Sequence, residues 1–399
     1  MIPASAPELK RVFADLHIHI GSTERNEAVK ISASRDLTFA RIAHEAAERK
    51  GIGLLGIIDC HSPGVQRDIA ELLDNGQMEE AAGGGIRYRN TTILLGSEIE
   101  VKEPGRGAAH YLAFMPDFER MRDFTGWMSK HMRNVQLSSQ RIYVSGHVLQ
   151  QEVKARGGLF IPAHVFTPHK SLFGSCSDHL ADTLDPEMVD AVELGLSADS
   201  EMAGLLPDLD NLPFLTNSDA HSLSKIGREY NKLQLAEPSF TEFVLALQGK
   251  EGRSIAANYG LNPRLGKYHR TYCLNCGELA ADLTIERCKE CGSPKLVRGV
   301  MDRIEHLAKI NGRTVPYMPE GRPPYINQVP LEFVPGIGKV ALNKLLSAFG
   351  TEMNVLHDAS LEALTEIVGE SSAAMIAAAR IGGLTLETGG GGRYGKVLK

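Results

Sequence analysis

The stretch VFADLHIHI, residues 12–20, joins an apolar run to two histidines that stand two positions apart. Side chains two apart on a β-strand point to the same side, so His17 and His19 project together from the end of the strand. The same spacing returns in the motif DCH at residues 59–61, which follows a second apolar run. Both motifs are typical of metal ligands held at strand ends.

Short apolar runs alternate with amphipathic segments from residue 12 to about residue 261. Helical periodicity is present at Leu37–Lys50 and Phe124–Val135. The alternation predicts a parallel sheet, open or closed as a barrel, with its chemistry at the carboxyl ends of the strands. The predicted strands are Phe13–Ile18, Leu54–Ile58, Thr92–Leu95, Leu159–Pro162, Ala191–Leu194 and Phe214–Thr216.

Most of these strands end on a histidine or an acid. A lone histidine is more often structural than a ligand, but here five strand ends each carry a ligand-type residue. The predicted metal ligands are His17, His19, His61, Glu98, His110, His164, Asp219 and His221. A mixed set of imidazoles and carboxylates suits Zn²⁺, Mn²⁺ or Fe²⁺ better than Mg²⁺ or Ca²⁺.

Three of these ligands are also predicted to be catalytic: Glu98, His164 and Asp219. Carboxylates such as Glu98 and Asp219 can bridge two ions and clamp a displacement at phosphorus. Asp15 and Asp59 lie one step further out, and we interpret them as acceptors that orient ligating histidines.

Four cysteines form two CxxC pairs, Cys273/Cys276 and Cys288/Cys291, with eleven residues between the pairs. Four thiolates favour tetrahedral Zn²⁺, and a filled shell leaves no place for substrate. We therefore predict one structural zinc that folds a small segment.

The motif FVPGIGK at residues 333–339 precedes a helical pattern and resembles a helix-hairpin-helix element. Gly336 and Gly338 let the backbone approach a phosphate closely, and the helix that follows presents free N–H groups. Lys339 and Lys344 add positive charge. We expect contacts with the DNA backbone that do not read sequence, although a PGIG turn can also simply connect helices.

The composition sets the broad class. The chain has 399 residues, 43% hydrophobic and 23% charged, which suits a folded protein of one large domain and one or two small ones. No run approaches the roughly 18 apolar residues of a membrane span, so we expect a cytoplasmic protein with no membrane partner. The net charge of −6 argues against a protein that simply coats nucleic acid.

The series of barrel motifs resembles the PHP (polymerase and histidinol phosphatase) superfamily. That resemblance implies a distorted (β/α)7 barrel with a phosphoesterase centre of two or three divalent ions, Zn, Mn, Fe or Mg. Many members carry a further histidine soon after the HxH pair, but this chain has none between residues 20 and 41. Glu24, Glu27 and Lys30 are the candidates for its place, and the third ion is left open.

The order of barrel, four-cysteine segment and hairpin helices resembles the endonuclease Q family. The boundaries we predict are 1–261 for the PHP barrel, 262–325 for the zinc-binding segment and linker, and 326–399 for the helical domain. The resemblance implies a DNA repair endonuclease that cuts on the 5′ side of uracil, hypoxanthine, xanthine or an abasic site. Its partner would be double- or single-stranded DNA in the nucleoid, with a sliding clamp as a further candidate.

Lesion choice in such an enzyme would come from flipping the altered base into a pocket. We expect the residues after the fourth strand to line it, namely Phe166, His169, Lys170 and Phe173. Three alternatives remain. A small-molecule phosphatase of the histidinol-phosphate type would use the same metals but would not need the cysteine segment or the hairpin. The others are a general DNA exonuclease and a non-catalytic DNA-binding accessory, which would have lost ligands that are nearly all intact here.

Overall fold

The structure, a computed structural model, describes residues 7–280 and 285–398. Its strands are β1 (Lys10–Ile18), β2 (Leu54–Ile57), β3 (Glu79–Glu80), β4 (Ile86–Tyr88), β5 (Thr91–Lys102), β6 (Ala108–Met115), β7 (Leu159–Pro162), β8 (Val192–Glu193), β9 (Phe214–Leu215), β10 (Tyr230–Leu235), β11 (Ser254–Gly260), β12 (Tyr272–Cys273), β13 (Leu296–Val297), β14 (Tyr325–Asn327), β15 (Leu386–Glu387) and β16 (Lys396–Val397). Its α-helices are α1 (Phe39–His44), α2 (Pro63–Asp74), α3 (Phe118–Met128), α4 (Gly146–Ala155), α5 (Ser200–Ala203), α6 (Phe240–Leu247), α7 (Val300–Ile310), α8 (Lys339–Phe349), α9 (Glu352–His357), α10 (Leu361–Val368) and α11 (Glu370–Arg380).

Seven strands form the barrel, in the order β1, β2, β5, β6, β7, β8 and β9. The pairs β1–β2, β2–β5 and β8–β9 are parallel. Backbone hydrogen bonds complete the circle: the N–H of Val165 donates to the carbonyl of Glu193 (2.9 Å), and that of His19 donates to Ala220 (3.1 Å). The predicted α/β barrel is thus confirmed.

β6 runs antiparallel to both of its neighbours, β5 and β7, and this reversal distorts the barrel. Only residues 103–107 separate β5 from β6. A parallel connection needs a crossover of a dozen or more residues, so a link this short can only form a hairpin. The expectation of a wholly parallel sheet was therefore wrong at this strand.

A second departure concerns the helix predicted at Phe124–Val135. The helix is α3, which begins at Phe118, after the N-cap Asp117, and ends at Met128. The Asp117 carboxylate accepts from the N–H of Arg120, which satisfies a free donor of the first turn. Residues beyond α3 instead form turns, and Met132 bridges to Ile142.

The chain after β9 is joined to the barrel because its strands β10, β11 and β14 extend the sheet beyond β1. β10 pairs antiparallel with β1, β11 with β10, and β14 returns to pair parallel with β11. The predicted boundary at residue 325 therefore lies inside a strand of the main sheet, and the three-domain division stays a prediction. Among the helices in the described ranges, none has the length and hydropathy needed to cross a membrane.

Candidate metal centre

The predicted ligands gather at one rim of the barrel. His17 lies at the end of β1, and His19 directly follows that strand. Glu98 lies on β5, just beyond the residues of β5 that pair with β2, and His164 follows β7. His110 lies near the amino end of β6, and the reversed direction of that strand brings this end to the same rim. His110 therefore joins the cluster because β6 runs antiparallel to its neighbours, a direction that the sequence analysis did not predict.

Glu98 is the first of two carboxylates that connect these ligands. Its Oε1 lies 2.8 Å from His110 Nδ1, 3.3 Å from His164 Nε2 and 3.5 Å from His17 Nε2. Its Oε2 lies 3.7 Å from His19 Nε2. A single carboxylate therefore faces imidazoles from three strands, the position of a bridging ligand.

Asp219 is the second carboxylate. Its Oδ1 lies 3.3 Å from His221 Nε2, 3.5 Å from His17 Nε2 and 3.6 Å from His19 Nε2. The backbone of Asp219 is in the left-handed region (φ 45°), a conformation that costs energy for a residue with a side chain. The cluster as a whole contains three groups whose ligand atoms lie within 4.8 Å of one another: His17, His19 and Glu98; His19, Asp219 and His221; Glu98, His110 and His164.

Two buried acids orient the histidines of β1. Asp59 Oδ2 lies 3.0 Å from His19 Nδ1, as predicted, and Glu193 Oε2 lies 2.9 Å from His17 Nδ1. We assign an N–H to each Nδ1, which leaves both Nε2 lone pairs directed into the cluster. This is the carboxylate–histidine arrangement typical of metal sites.

Glu193 is the residue that sequence reasoning missed. It also accepts from the N–H of His164 (2.9 Å) and from Asn217 Nδ2 (3.1 Å), so it fixes three parts of the cluster. The available signal was an acid within the apolar run Ala191–Leu194.

Asp15, assigned from the sequence to a histidine ring, has a different role. Its oxygens accept from the backbone N–H groups of Ser218 (3.0 Å) and Gly227 (2.8 Å). The hydrogen bond to Ser218 holds the loop that carries Asp219. The earlier assignment is corrected because the chain between β9 and β10 lies closer to this carboxylate than any ligating ring that it could orient.

Lys30 stands inside the cluster, where a further ligand was expected. Its Nζ lies 3.3 Å from Glu98 Oε2 and 2.6 Å from Ser139 Oγ, and that Oγ is also hydrogen-bonded to Glu98. His61 is buried nearby, with Nε2 3.4 Å from the carbonyl of Leu137, and it belongs to none of the three groups. Its role as a ligand stays a prediction.

The other two candidates for that position face away from it. Glu27 forms an ion pair with Arg67 (2.6 Å), and the side chain of Glu24 is exposed. The cation that the structure brings to Glu98 is therefore an ammonium group on a flexible stem.

The electrostatics of the cluster favour metal binding. Burial lowers the pKa of His19, His61 and His110, which keeps these rings neutral and able to donate a lone pair. Burial alone would raise the pKa of Glu98 and Asp219. Interactions with neighbouring groups, first His110 at Glu98 and first His17 at Asp219, instead lower it well below the usual range. Both carboxylates are therefore anionic.

Several buried nitrogens in the cluster lack a hydrogen-bond partner among the described residues: His17 Nε2, His61 Nδ1 and His110 Nε2. A buried polar atom without a partner is costly. Each of these nitrogens can satisfy its lone pair on a cation, and the mixed imidazole and carboxylate set fits Zn²⁺, Mn²⁺ or Fe²⁺. The residues present thus fit a divalent metal centre.

The four cysteines meet in a second site. Their Sγ atoms all lie within 4.8 Å of one another, with 3.6 Å between Cys273 and Cys291 and 3.6 Å between Cys276 and Cys288. Gly277 and Gly292 follow each pair with positive φ, the turn geometry that aims two thiolates at one point. The site fits one tetrahedral zinc.

The PGIG turn precedes α8 as expected. Gly336 has φ 89°, and Gly338 is the N-cap of α8 with open space where a side chain would lie. Lys339 and Lys344 are exposed. An open backbone at a helix start beside two lysines suits a phosphate group, and DNA contact by these residues stays a prediction.

The predicted base pocket requires correction. Phe166 and Phe173 are buried and pack against each other, with 5.8 Å between their ring centroids, so neither faces a ligand. Lys170 forms an ion pair with Glu100 (2.9 Å). His169 packs edge-on against Tyr268. The apolar pattern after β7 reflects packing into the main hydrophobic core instead of a binding surface.

A cavity of about 150 Å³ does open beside the metal cluster. The residues that line it include His164 and Asp219 of the cluster together with Lys267, Tyr268 and Tyr394. A second cavity of about 490 Å³ adjoins it and shares Leu196 and Tyr394. Most of these residues come from segments remote from β7.

Comparison with known proteins identifies the family. The lesion-specific endonuclease PfuEndoQ from Pyrococcus furiosus is 31% identical; the match covers 97% of this chain and 95% of that protein with a TM-score of 0.83. The chain belongs to the endonuclease Q family. A second endonuclease Q structure, a complex with a 27-mer duplex substrate that has an abasic lesion at the active site, is 32% identical over 97% of this chain and 96% of its own, with a TM-score of 0.82.

Two further comparisons match this chain, one over nearly its whole length and one over a short segment of the barrel region. The Bacillus subtilis protein YqxK is 52% identical over 391 residues, which is 98% of this chain and all of that protein. A family model described as PHP-associated matches residues 206–251, the segment that contains Asp219 and His221. The resemblance inferred from the motifs is thus confirmed.

Proposed function

We propose that this protein is a DNA repair endonuclease that hydrolyses the phosphodiester on the 5′ side of a deaminated base or an abasic site. The observation that carries the proposal is Glu98, which faces imidazoles from three strands at the rim of the barrel. Support also comes from the endonuclease Q relatives, one of which is complexed with duplex DNA that has an abasic lesion. The proposed substrates are uracil, hypoxanthine and xanthine sites as well as abasic ones, and the proposed place of work is the nucleoid.

The ligand roles in this proposal follow the geometry. Glu98 belongs to two of the three ligand groups and would bridge them. Asp219 belongs to the third group, and its Oδ1 also lies 3.5 Å from His17 Nε2. His164 is the member of its group that lines the 150 Å³ cavity. Divalent ions bound here would supply Lewis acidity and a water of lowered pKa. Glu193 and Asp59 keep the ligating rings of β1 in one tautomer, so the cluster needs no rearrangement before reaction.

We propose two divalent ions in this centre, with the Lys30 ammonium as a third cationic group. Its Nζ lies 3.3 Å from the carboxylate of Glu98, where an additional divalent ion would be repelled by the ammonium. The same ammonium can contact a non-bridging oxygen of the scissile phosphate. One zinc held by the four cysteines is proposed as structural, because its shell has no free position.

The DNA backbone would be held at a distance from the reaction. Gly338 and Lys339 at the start of α8 offer N–H groups and charge to a phosphate, and the altered base would enter the 150 Å³ cavity beside His164 and Asp219. Flipping costs least where pairing is already weak, which favours deaminated sites over normal pairs.

The experiment offers metal-loaded protein an end-labelled duplex with one deoxyuridine, deoxyinosine or abasic site, an undamaged duplex, and histidinol phosphate. One labelled product that ends 5′ to the lesion supports the proposal. A ladder of products would indicate an exonuclease, and phosphate release from histidinol phosphate alone would indicate a phosphatase. Equal cutting of the undamaged duplex would refute lesion recognition.

The same substrates are offered to the variant Asp219→Asn. This change keeps the size of the side chain but removes the negative charge of a carboxylate in the metal centre. We expect nicking to fall by at least about a hundredfold, since a carboxylate ligand is lost. Asp208→Asn is the matched control, because that carboxylate belongs to none of the three ligand groups and accepts from the N–H of Leu180 (2.6 Å).

A further inference from the structure

The last segment of the chain forms a hairpin, β15–β16, that is docked on the barrel. The N–H of Gly389 donates to the carbonyl of Arg264 (2.7 Å), and that of Gly395 donates to the carbonyl of Leu265 (2.9 Å). The hairpin therefore pairs with the connection that leads from β11 to the cysteine site.

The glycines of this hairpin are required by close packing. A Cβ on Gly389 would lie 2.7 Å from the carbonyl oxygen of Leu265, and one on Gly395 would overlap the carbonyl oxygen of Glu387. A Cβ on Gly391 would lie 2.7 Å from the carbonyl oxygen of Gly277, in the first cysteine knuckle. The glycine-rich run is thus a fitted contact between the barrel and the cysteine site.

This contact places Tyr394 beside the metal cluster. Its ring lines the 150 Å³ cavity together with His164 and Asp219, yet the residue is 54% exposed. Lys267 Nζ lies 5.4 Å from the centroid of this ring and 4.7 Å from that of Tyr268, so one cation is shared by two aromatic faces. An exposed aromatic side chain held at the mouth of a catalytic cavity is suited to stack on a flat ligand.

We infer that Tyr394 stacks on the flipped base and is a specificity-determining residue for lesions that retain a base. The inference rests on the proposed function. A cavity of about 150 Å³ accommodates one six-membered ring, which suits uracil. Hypoxanthine and xanthine have two rings and would extend past Tyr394 into the adjoining cavity of about 490 Å³.

The test compares substrates that differ only in whether a base is present. Tyr394→Ala should lower kcat/KM for duplexes with uracil or hypoxanthine by about tenfold or more, the effect of removing one base-stacking aromatic. Cutting of an abasic duplex should stay within about twofold, because that site has no base to stack. Tyr394→Phe keeps the ring and should keep the activity on every substrate.

The matched control is Tyr143→Ala, which removes an aromatic residue that is 57% exposed but lines neither cavity. A second variant, Gly395→Val, should displace the hairpin and give the same substrate pattern as Tyr394→Ala with an unchanged unfolding temperature of the barrel. Agreement of both variants would assign the effect to the position of the ring.

Two outcomes would overturn the inference. An equal loss on abasic and base-bearing duplexes would mean that Tyr394 acts on DNA binding in general, and no loss on any substrate would mean that it does not touch the base. Failure of the wild-type protein to nick any lesion would instead refute the proposed function.

Discussion

Glu193 offers a sharp test of the metal centre, because it is buried and accepts hydrogen bonds from three donors. The single N–H at His17 Nδ1 is shared between both oxygens (3.0 and 2.9 Å), and the other donors are the N–H of His164 (2.9 Å) and Asn217 Nδ2 (3.1 Å). In Glu193→Gln one oxygen becomes an NH₂ group. Whichever way the amide turns, a donor then faces another donor.

The consequence for metal binding follows from the tautomer of His17. If the Nδ1–H stays, a buried donor loses its acceptor, at a cost of about 1–3 kcal/mol. If the proton moves to Nε2, that nitrogen can no longer bind a cation. Loss of such an orienting carboxylate typically weakens metal affinity about 10- to 100-fold, which corresponds to about 1.4–2.8 kcal/mol.

The assay titrates metal-free wild-type and variant protein with Zn²⁺ or Mn²⁺ against a chelating dye, and measures nicking at each free metal concentration. We expect the half-saturating metal concentration of Glu193→Gln to rise about 10- to 100-fold. Glu229→Gln is the matched control. Burial raises the pKa of Glu229 to about 8, so this carboxyl is largely protonated at neutral pH and the amide is a close replacement.

Metal affinity of Glu193→Gln within about twofold of wild type would refute the orienting role. An equal loss in Glu229→Gln would also refute it, since any change of a buried acid would then suffice. Circular dichroism of both variants would show whether the barrel remains folded.

Lys30→His should increase the number of barrel ions that copurify per chain from two to three, measured by elemental analysis; an unchanged count would contradict the proposed position of the ammonium. Cys276→Ser should remove one zinc per chain and lower the unfolding temperature of the cysteine site, while the barrel ligands stay loaded. Burial lowers the pKa of His17, but Glu193 and then Asp219 raise it more, so it lies well above 6.5 in the metal-free protein. Metal must displace that proton, so metal affinity should rise as pH increases above about 6.5, with proton release visible by calorimetry in two buffers; a flat profile would exclude this competition. Lys339→Glu should weaken binding to any duplex to a similar degree, lesion or not, and reduce its salt dependence; a loss confined to lesion-bearing DNA would contradict a backbone contact.

Local sequence features were sufficient to predict several parts of the fold and of the two metal sites. The HxH pair ends β1, the two CxxC pairs converge on one site, and the PGIG turn precedes α8, all as the spacing indicated. These features depend on the geometry of a single strand or turn, so residue type and spacing are sufficient to predict them.

Tertiary structure decided which residues complete the centre. Glu193 reaches His17 across 176 residues, and Lys30 reaches Glu98 across 68, because closure of the barrel brings separate strands to one rim. The cavity beside the metal cluster is lined by Tyr268 and Tyr394 and not by Phe166, which packs into the hydrophobic core, because core residues and binding walls have the same apolar signature in sequence. Sequence periodicity reports whether a side chain is apolar and on which face it lies, whereas the partner it meets depends on how distant segments pack.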